Sequence, residues 1–112
     1  MINYNNKKYK YKGCIHVHSA FSDGTGSVET ISKAAKKAGL SWIIITDHNS
    51  FDTQDGIYNG VYVLKGEEIT TEKNRHYLAL GINELIEPSN DVQTNVNNVR
   101  KNGGFGFAAH PN

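Results

Sequence analysis

The 112-residue sequence has few of the features that mark secreted or membrane-spanning proteins. A single cysteine, Cys14, excludes an internal disulfide framework and favours a reducing compartment. No segment approaches the roughly 18 consecutive apolar residues of a membrane span. Residues 1–12 also lack the apolar centre of a secretory signal peptide. We therefore expect a cytoplasmic protein without a membrane partner.

Excess charge of either sign is also missing. Twelve Lys and Arg residues against eleven Asp and Glu residues give a formal net charge of +1. Proteins that bind nucleic acid along its phosphate backbone usually present a strongly basic surface. The charge balance therefore does not favour a nucleic-acid partner, and the length predicts one domain with a modest core.

Several common catalytic motifs are absent. The sequence contains neither the Gly-x-x-x-x-Gly-Lys-Ser/Thr phosphate loop nor the Gly-x-Gly-x-x-Gly dinucleotide fingerprint. Ser19 and Ser22 do not lie in a nucleophile elbow, which argues against a Ser-His-Asp triad. The candidate functional residues are therefore the histidines and carboxylates.

The spacing of apolar residues predicts an α/β fold with mainly parallel strands. Ser27 is a typical N-cap and Gly39 a typical residue after a helix end, so a helix is expected over 28–38. The β-branched run at 40–46 predicts a strand buried on both faces. The remaining expectations are a polar tail or weak strand at 1–11, strands at 12–18, 61–69, 77–82 and 105–109, turns at 50–60, a hairpin-like link at 70–76, and a helix at 91–102.

All five histidines lie at or near the ends of predicted strands: His16, His18, His48, His76 and His110. Sites in α/β proteins form where the carboxyl ends of strands meet. His16 and His18 are two residues apart and share one face of a strand, so they could bind one metal ion or one each of a pair. A lone His-x-His is more often two ordinary polar residues on a surface strand. Asp23 and the Asp47-His48 pair shift the balance toward the metal hypothesis.

Four carboxylates accompany the histidines. Asp47 follows a buried strand and needs partners there, although it could simply cap a turn, and Asp23 alone would indicate a turn. Glu67 and Glu68 point to opposite faces of their strand, so we expect one to join an inward site and the other to face solvent. A mixed set of imidazoles and carboxylates suits Zn, Mn or Fe better than Mg or Ca. Cys14 is expected to be a small buried residue rather than a ligand.

Taken together, these segments resemble the PHP domain (polymerase and histidinol phosphatase) metallohydrolases. The resemblance covers residues 12–112. Within the family, the Phe-Ser-Asp-Gly and Thr-Asp-His-Asn motifs are most similar to those of standalone members known as metal-dependent phosphoesterases or carbamate-hydrolase-like proteins. The matching segments, in order along the chain, are His16-Val-His18-Ser19, Phe21-Ser-Asp23-Gly24, Thr46-Asp47-His48-Asn49, Gly66-Glu-Glu68-Ile-Thr70, His76-Tyr-Leu-Ala-Leu-Gly81 and Ala109-His110-Pro111.

The resemblance implies a distorted, seven-stranded, TIM-like β/α barrel with up to three divalent metal ions at its carboxyl-end face. Glu68 is chosen over Glu67 because the glutamate of the family precedes the Ile-Thr pair. Asp47 would orient a ligand imidazole without binding metal. The implied ligands are His16, His18 and a bridging Glu68 for the first metal, Asp23 and His48 for the second, and Glu68, His76 and His110 for the third.

The sequence departs from the family pattern in one respect. The family completes its metal cluster with a later Asp-x-His pair, whereas this sequence stops at Asn112. A full β/α barrel usually takes roughly 250 residues. Residues 12–112 therefore correspond to about the first half of a barrel. We expect the third metal to have all its protein ligands, the first two to lack one each, and exposed sheet edges to allow self-association.

The function implied by the resemblance is hydrolysis of a small phosphorylated or ester substrate by a metal-activated water, without a separate catalytic side chain. Arg75 could hold a substrate phosphate, or it could be a solvated loop charge. Two alternatives remain open. One is a catalytically incomplete metal-binding fragment, and the other is a nuclease or proofreading module of the kind that PHP domains provide beside polymerases. The near-neutral charge argues against the nuclease.

Overall fold

The computed structural model describes residues 10–110, which form one curled sheet with two helices on its outer side. Most of the predicted tail, residues 1–9, lies outside the described residues. Within residues 10–110, no helix has the length and apolarity to cross a membrane. The elements in chain order are β1 Gly13–Val17, α1 Val28–Lys37, β2 Trp42–His48, β3 Gly56–Tyr58, β4 Val61–Thr70, β5 His76–Leu80, α2 Val92–Lys101 and β6 Phe105–Ala108.

The strand order is β1-β2-β4-β5-β6, with β3 beside β4. The α/β class is confirmed, but the prediction of mainly parallel strands is wrong: among the strands of residues 10–110, the β1–β2 and β2–β4 pairs are parallel and the other three pairs are antiparallel. The five-residue link after β4 is too short for a parallel crossover, so β5 turns back as the predicted hairpin. Strand β3 was not predicted, because residues 50–60 carry the composition of a turn.

The outer face of the sheet holds the apolar core. Helix α1 starts where the Ser27 hydroxyl accepts the N–H of Thr30, and Gly39 follows its end with φ of +83°, as predicted. Two clusters of buried side chains lie between the sheet and the helices. They are Ala35, Ile43, Ile45, Val61 and Val63 next to α1, and Ile69, Ala79, Ile82, Ile86 and Val99 next to α2.

The inner face is open in part below its polar rim. Tyr62 and Leu64 alternate with the buried Val61 and Val63, so they point away from the helices, and both are exposed. Phe105 and Phe107 pair with inner-face residues of β5 and are exposed as well. The prediction that residues 40–46 are buried on both faces is therefore wrong in part. Ile43 and Ile45 are buried on the outer face, whereas Trp42 and Ile44 are half-buried on the inner face.

Candidate metal centre

The histidines meet at one edge of the sheet because the topology brings four strand ends and one strand start together there. His16 and His18 lie at the end of β1, His48 ends β2, and His110 follows β6. His76 opens β5 instead of following a strand. Since β5 runs antiparallel to β4, His76 pairs with Thr70 and reaches the same edge. The expectation of carboxyl strand ends is therefore wrong for His76, yet the five imidazoles are neighbours.

Glu68 is the centre of this cluster. It lies on the middle strand of the path, β4, and its side chain is fully buried, with 0% exposure. Imidazole nitrogens surround both of its carboxylate oxygens. Oε1 is 2.7 Å from His16 Nε2, 3.0 Å from His18 Nε2 and 3.8 Å from His48 Nε2, and Oε2 is 2.9 Å from His76 Nδ1 and 3.0 Å from His110 Nε2. One carboxylate thus lies next to a histidine in or beside each of the other four strands of the path.

Asp23, on the loop after β1, provides the second carboxylate of the cluster. Its Oδ1 is 3.6 Å from His18 Nδ1 and its Oδ2 is 3.4 Å from His48 Nε2. The Asp23 side chain is 68% exposed, in contrast to the buried Glu68. His18 and His48 stack between the two carboxylates, with ring centroids 4.5 Å apart. These two imidazoles therefore link an exposed carboxylate to a buried one.

Three groups of potential metal ligands follow from these distances. In each group, ligand atoms from three residues lie within 4.8 Å of one another: His16, Glu68 and His110; His18, Asp23 and His48; His48, Glu68 and His76. All seven expected ligands are included, but the grouping differs from the expected one. His18 joins Asp23 and His48 instead of His16, and His110 joins His16 instead of His76. Glu68 belongs to two groups, as a bridging carboxylate would.

A bulge in β1 aims His16 at Glu68. Cys14 pairs with Ile43 and Val17 pairs with Ile45, so two residues of β1 stand opposite one residue of β2. His16 is one of these two and has φ of +65°, in the left-handed region that non-glycine residues rarely adopt. Val17 then packs on the outer core, while His16 and His18 point to the inner face on either side of it. Such local strain is common at functional sites.

Asp47 has a different role from the expected one. Its Oδ1 accepts the backbone N–H of Ser19 at 2.6 Å and the Ser22 hydroxyl at 2.8 Å, and its Oδ2 accepts the Ser19 hydroxyl at 2.6 Å. Within residues 10–110, the Asp47 carboxylate makes no hydrogen bond to an imidazole. Gly24 tightens the same loop, since a Cβ there would lie 2.3 Å from the carbonyl oxygen of His18. Asp47 therefore holds the loop that carries Asp23.

Sequence reasoning missed two residues that orient imidazoles. The Thr70 hydroxyl oxygen lies 2.7 Å from His48 Nδ1 and 3.1 Å from His76 Nδ1, and Asn74 Oδ1 lies 3.0 Å from His76 Nε2. One proton assignment leaves a nitrogen of each ring free. His76 donates from Nε2 to Asn74, His48 donates from Nδ1 to Thr70, and the Thr70 hydroxyl donates to the backbone carbonyl oxygen of Glu68 at 3.3 Å. The bare nitrogens, His76 Nδ1 and His48 Nε2, then face the carboxylates, as metal ligands must. In the sequence, the polar Thr70 directly after the apolar Ile69 was the feature that pointed to a residue orienting an imidazole.

Within the cluster, burial and the attraction between carboxylate and imidazole groups shift the pKa of Glu68 in opposite directions. Burial by itself would raise the pKa of Glu68. The hydrogen bond from His16 and the positive charge available on His48, His16 and His18 outweigh burial and hold that pKa below its usual range. Burial, followed by the charge of His48, lowers the pKa of His18. Glu68 is therefore favoured as a carboxylate and His18 as a neutral imidazole, the protonation states that bind metal.

The donor set fits a metal centre better than a purely hydrogen-bonded one. Glu68 Oε2 and His18 Nδ1 are buried side-chain atoms without a hydrogen-bond partner among the described residues. Buried polar atoms are rarely left unpaired. Both atoms face other ligand atoms at 2.9–3.6 Å without suitable hydrogen-bond geometry. A divalent cation would satisfy such atoms, and imidazole with carboxylate suits Zn, Mn or Fe.

Two other sequence expectations were wrong. Glu67 does not face solvent: it is fully buried on the outer face, where its Oε1 accepts the backbone N–H of Ile86 at 2.8 Å. Burial, reinforced by the charge of Glu87 and opposed by the Ile86 bond, raises the pKa of Glu67 to about 7. Cys14 is exposed instead of buried. Arg75, the candidate phosphate ligand, lies exposed in the β4–β5 turn directly before His76.

Comparisons with known proteins agree with this geometry. The PHP domain matches residues 15–103 of the chain. An uncharacterized protein of Methanocaldococcus jannaschii, MJ1587, is 28% identical over 118 residues, covering 89% of this chain and 67% of that protein. The DNA polymerase/3'-5' exonuclease PolX of Bacillus subtilis is 40% identical over 40 residues, covering 36% of this chain and 7% of that protein.

Among solved structures, the chain is similar to a two-domain protein from Bacteroides vulgatus that contains a predicted PHP-like metal-dependent phosphoesterase. The TM-score is 0.66 at 23% identity, and the match covers 86% of this chain and 34% of that one. At this identity the likeness establishes the fold. The chain spans about a third of the solved protein's length.

Proposed function

Because the chain belongs to the PHP domain family, we propose that it is a metal-dependent phosphoesterase that uses a metal-activated water at a multinuclear site. One observation carries the proposal. Five imidazoles in or beside four strands surround one buried carboxylate on a fifth strand, and two buried ligand atoms there, Glu68 Oε2 and His18 Nδ1, have no hydrogen-bond partner among the described residues. Such an arrangement is costly for a purely structural cluster, since buried polar groups without partners destabilise a fold.

The seven side chains have distinct parts in this proposal. A divalent ion held there would supply a water of lowered pKa and polarise the phosphoryl oxygen. Glu68 would hold ions from the buried side, and the exposed Asp23 would hold one from the solvent side. Thr70 and Asn74 fix which imidazole nitrogens are free to bind. The proposed ligands are His16, His18, Asp23, His48, Glu68, His76 and His110, for up to three ions of Zn, Mn or Fe.

The test combines metal content with hydrolysis. We expect the purified chain to retain at least one transition-metal ion per molecule by mass spectrometry of its elements. We also expect hydrolysis of p-nitrophenyl phosphate to disappear after chelation and to return with Zn, Mn or Fe. A chain that binds none of these metals, and whose hydrolysis rate equals that of buffer, would contradict the proposal.

A second candidate is a metal-binding fragment that lacks catalytic competence. The short span relative to the solved neighbour and the open inner face favour it. Tight metal binding without hydrolysis of phosphomonoesters or of single-stranded DNA would support it, and DNA is included because of the PolX similarity. We further propose that copies of the chain associate through the edges of β1 and β6, which have no partner strand within residues 10–110; sedimentation at two concentrations would detect this.

A further inference from the structure

A cavity of about 320 Å³ opens directly beside the proposed metal centre. His76 and His110 form its boundary with the centre. Two basic residues, Lys73 and Arg75, also line the cavity, together with the apolar side chains of Val92 and Ala109. Among residues 10–110, no Asp or Glu side chain lines it. The cavity is therefore positively charged and continuous with the metal ligands.

The turn that carries the two basic residues is held in place by its own hydrogen bonds. Thr71 donates its N–H to the Arg75 carbonyl oxygen at 3.0 Å, and Asn74 donates its N–H to the Thr71 carbonyl oxygen at 2.9 Å. The Thr71 hydroxyl accepts the N–H of Arg75 at 3.0 Å. Asn74 also contacts the His76 imidazole. The backbone of Arg75 is thus fixed relative to a metal ligand.

The charges of Lys73 and Arg75 are not neutralised within the described part of the chain, where neither residue forms an ion pair. The acidic residue of the same turn, Glu72, lies on another side. It lines a separate cavity, and its Oε2 accepts a hydrogen bond from Asn90 at 3.4 Å. Two unpaired cations beside a cavity without carboxylates attract an anion.

We propose that this cavity binds a second anionic group of the substrate, one that is not hydrolysed. The inference rests on the proposed function and names its substrate class: small phosphomonoesters that also carry a carboxylate or a second phosphate. The volume supports this, since about 320 Å³ equals the space of about ten water molecules and exceeds that of one phosphate group. Val92 and Ala109 would contact the carbon atoms between the two anions.

The first test measures anion binding without metal or turnover. Pyrophosphate is titrated into the chelator-treated full chain at pH 8 by calorimetry. We expect Arg75→Gln to weaken binding at least about tenfold, the usual effect of losing a hydrogen bond between charged groups. Arg100→Gln, which removes an exposed charge from the last turn of α2, should leave the affinity unchanged. Equal affinities in all three proteins, or no binding by the unmodified chain, would overturn the proposal.

The second test measures specificity in the metal-loaded chain. The ratio of kcat/KM for phosphoglycolate, which carries a carboxylate, to kcat/KM for p-nitrophenyl phosphate is compared between variants. We expect Arg75→Gln to lower this ratio about tenfold and Arg100→Gln to preserve it. A ratio unaffected by Arg75→Gln contradicts the specificity role. Arg75-dependent pyrophosphate binding without hydrolysis of either substrate would instead refute the proposed phosphoesterase and leave the anion site supported.

Discussion

The two faces of the curled sheet differ in what covers them. The outer face is packed against α1 and α2, and its buried residues are mainly aliphatic. The inner face has imidazoles and carboxylates at one end, and beyond them exposed side chains such as Tyr62 and Leu64 lie beside the buried Leu78 and Leu80. The outer face therefore stabilises the fold through its own helices, whereas the inner face carries the potential metal ligands and is only partly covered within the described residues.

Glu67 and Glu68 show this difference over a single peptide bond. Both side chains are fully buried. Glu68 faces inward among imidazoles that lower its pKa below the usual range, and Glu67 faces outward against Ile86, where burial raises its pKa to about 7. Burial alone therefore does not identify a functional carboxylate. The partners do, because they decide whether the charged form is stable.

The largest effect is expected from replacing the inward carboxylate. Glu68→Gln removes the charge that two groups of potential ligands share, so metal affinity and hydrolysis should fall by more than about a hundredfold. Glu67→Gln is the matched control, since an amide oxygen can still accept the Ile86 N–H. It should change metal affinity by less than about twofold. Metal titration and phosphatase assays on both variants decide this. Equal losses would mean that the wrong carboxylate has been assigned.

A smaller effect is expected on stability, where truncating an apolar side chain should cost more on the outer face than on the inner face. Ile43→Ala leaves a cavity in the core next to α1, so the free energy of unfolding should fall by about 2–5 kcal/mol. Leu64→Ala, on the exposed inner face, should cost less than about 1 kcal/mol. Urea unfolding followed by circular dichroism measures both. If Leu64→Ala cost as much as Ile43→Ala, the inner face would be covered in solution, for example by a second copy of the chain.

The outer face was the more predictable of the two, because its elements depend on local signals. Ser27 and Gly39 bound α1, and the β-branched run at 43–45 forms β2, close to where the sequence predicted them. Alternation of side chains along a strand also predicted that one of Glu67 and Glu68 faces inward, whereas the choice of Glu68 came from the resemblance to the PHP domain family.

The remaining features depend on contacts between distant segments. Glu67 is buried because the segment after β5 folds back and places Ile86 over it, 19 residues away. His76 reaches the metal edge only because β5 reverses direction, and that reversal also brings Thr70 and Asn74 to its ring. Periodicity cannot reveal such pairings, since it reports the face of a residue and not its neighbours.

The smallest predicted effect is a pH dependence that arises on the outer face alone. Because the pKa of Glu67 is raised to about 7 in the fold, the folded chain keeps the proton of this carboxyl up to about pH 7. The unfolded chain releases the same proton near the ordinary pKa of a glutamate. Stability from this group is complete below the unfolded pKa and is lost as the pH rises through about 7. The loss amounts to at most about 3 kcal/mol, the cost of keeping a buried carboxylate charged.

Glu67→Gln resembles the protonated acid and cannot ionise. Metal-free chain and variant should therefore unfold at similar urea concentrations at pH 4.5, while at pH 8 the variant should be the more stable. Taking the difference between the two proteins removes the contribution of the five histidines, which titrate in both. A variant that is equally stable or less stable at pH 8 would show that Glu67 finds a partner for its charge, and the contrast between the two adjacent carboxylates would then be one of position only.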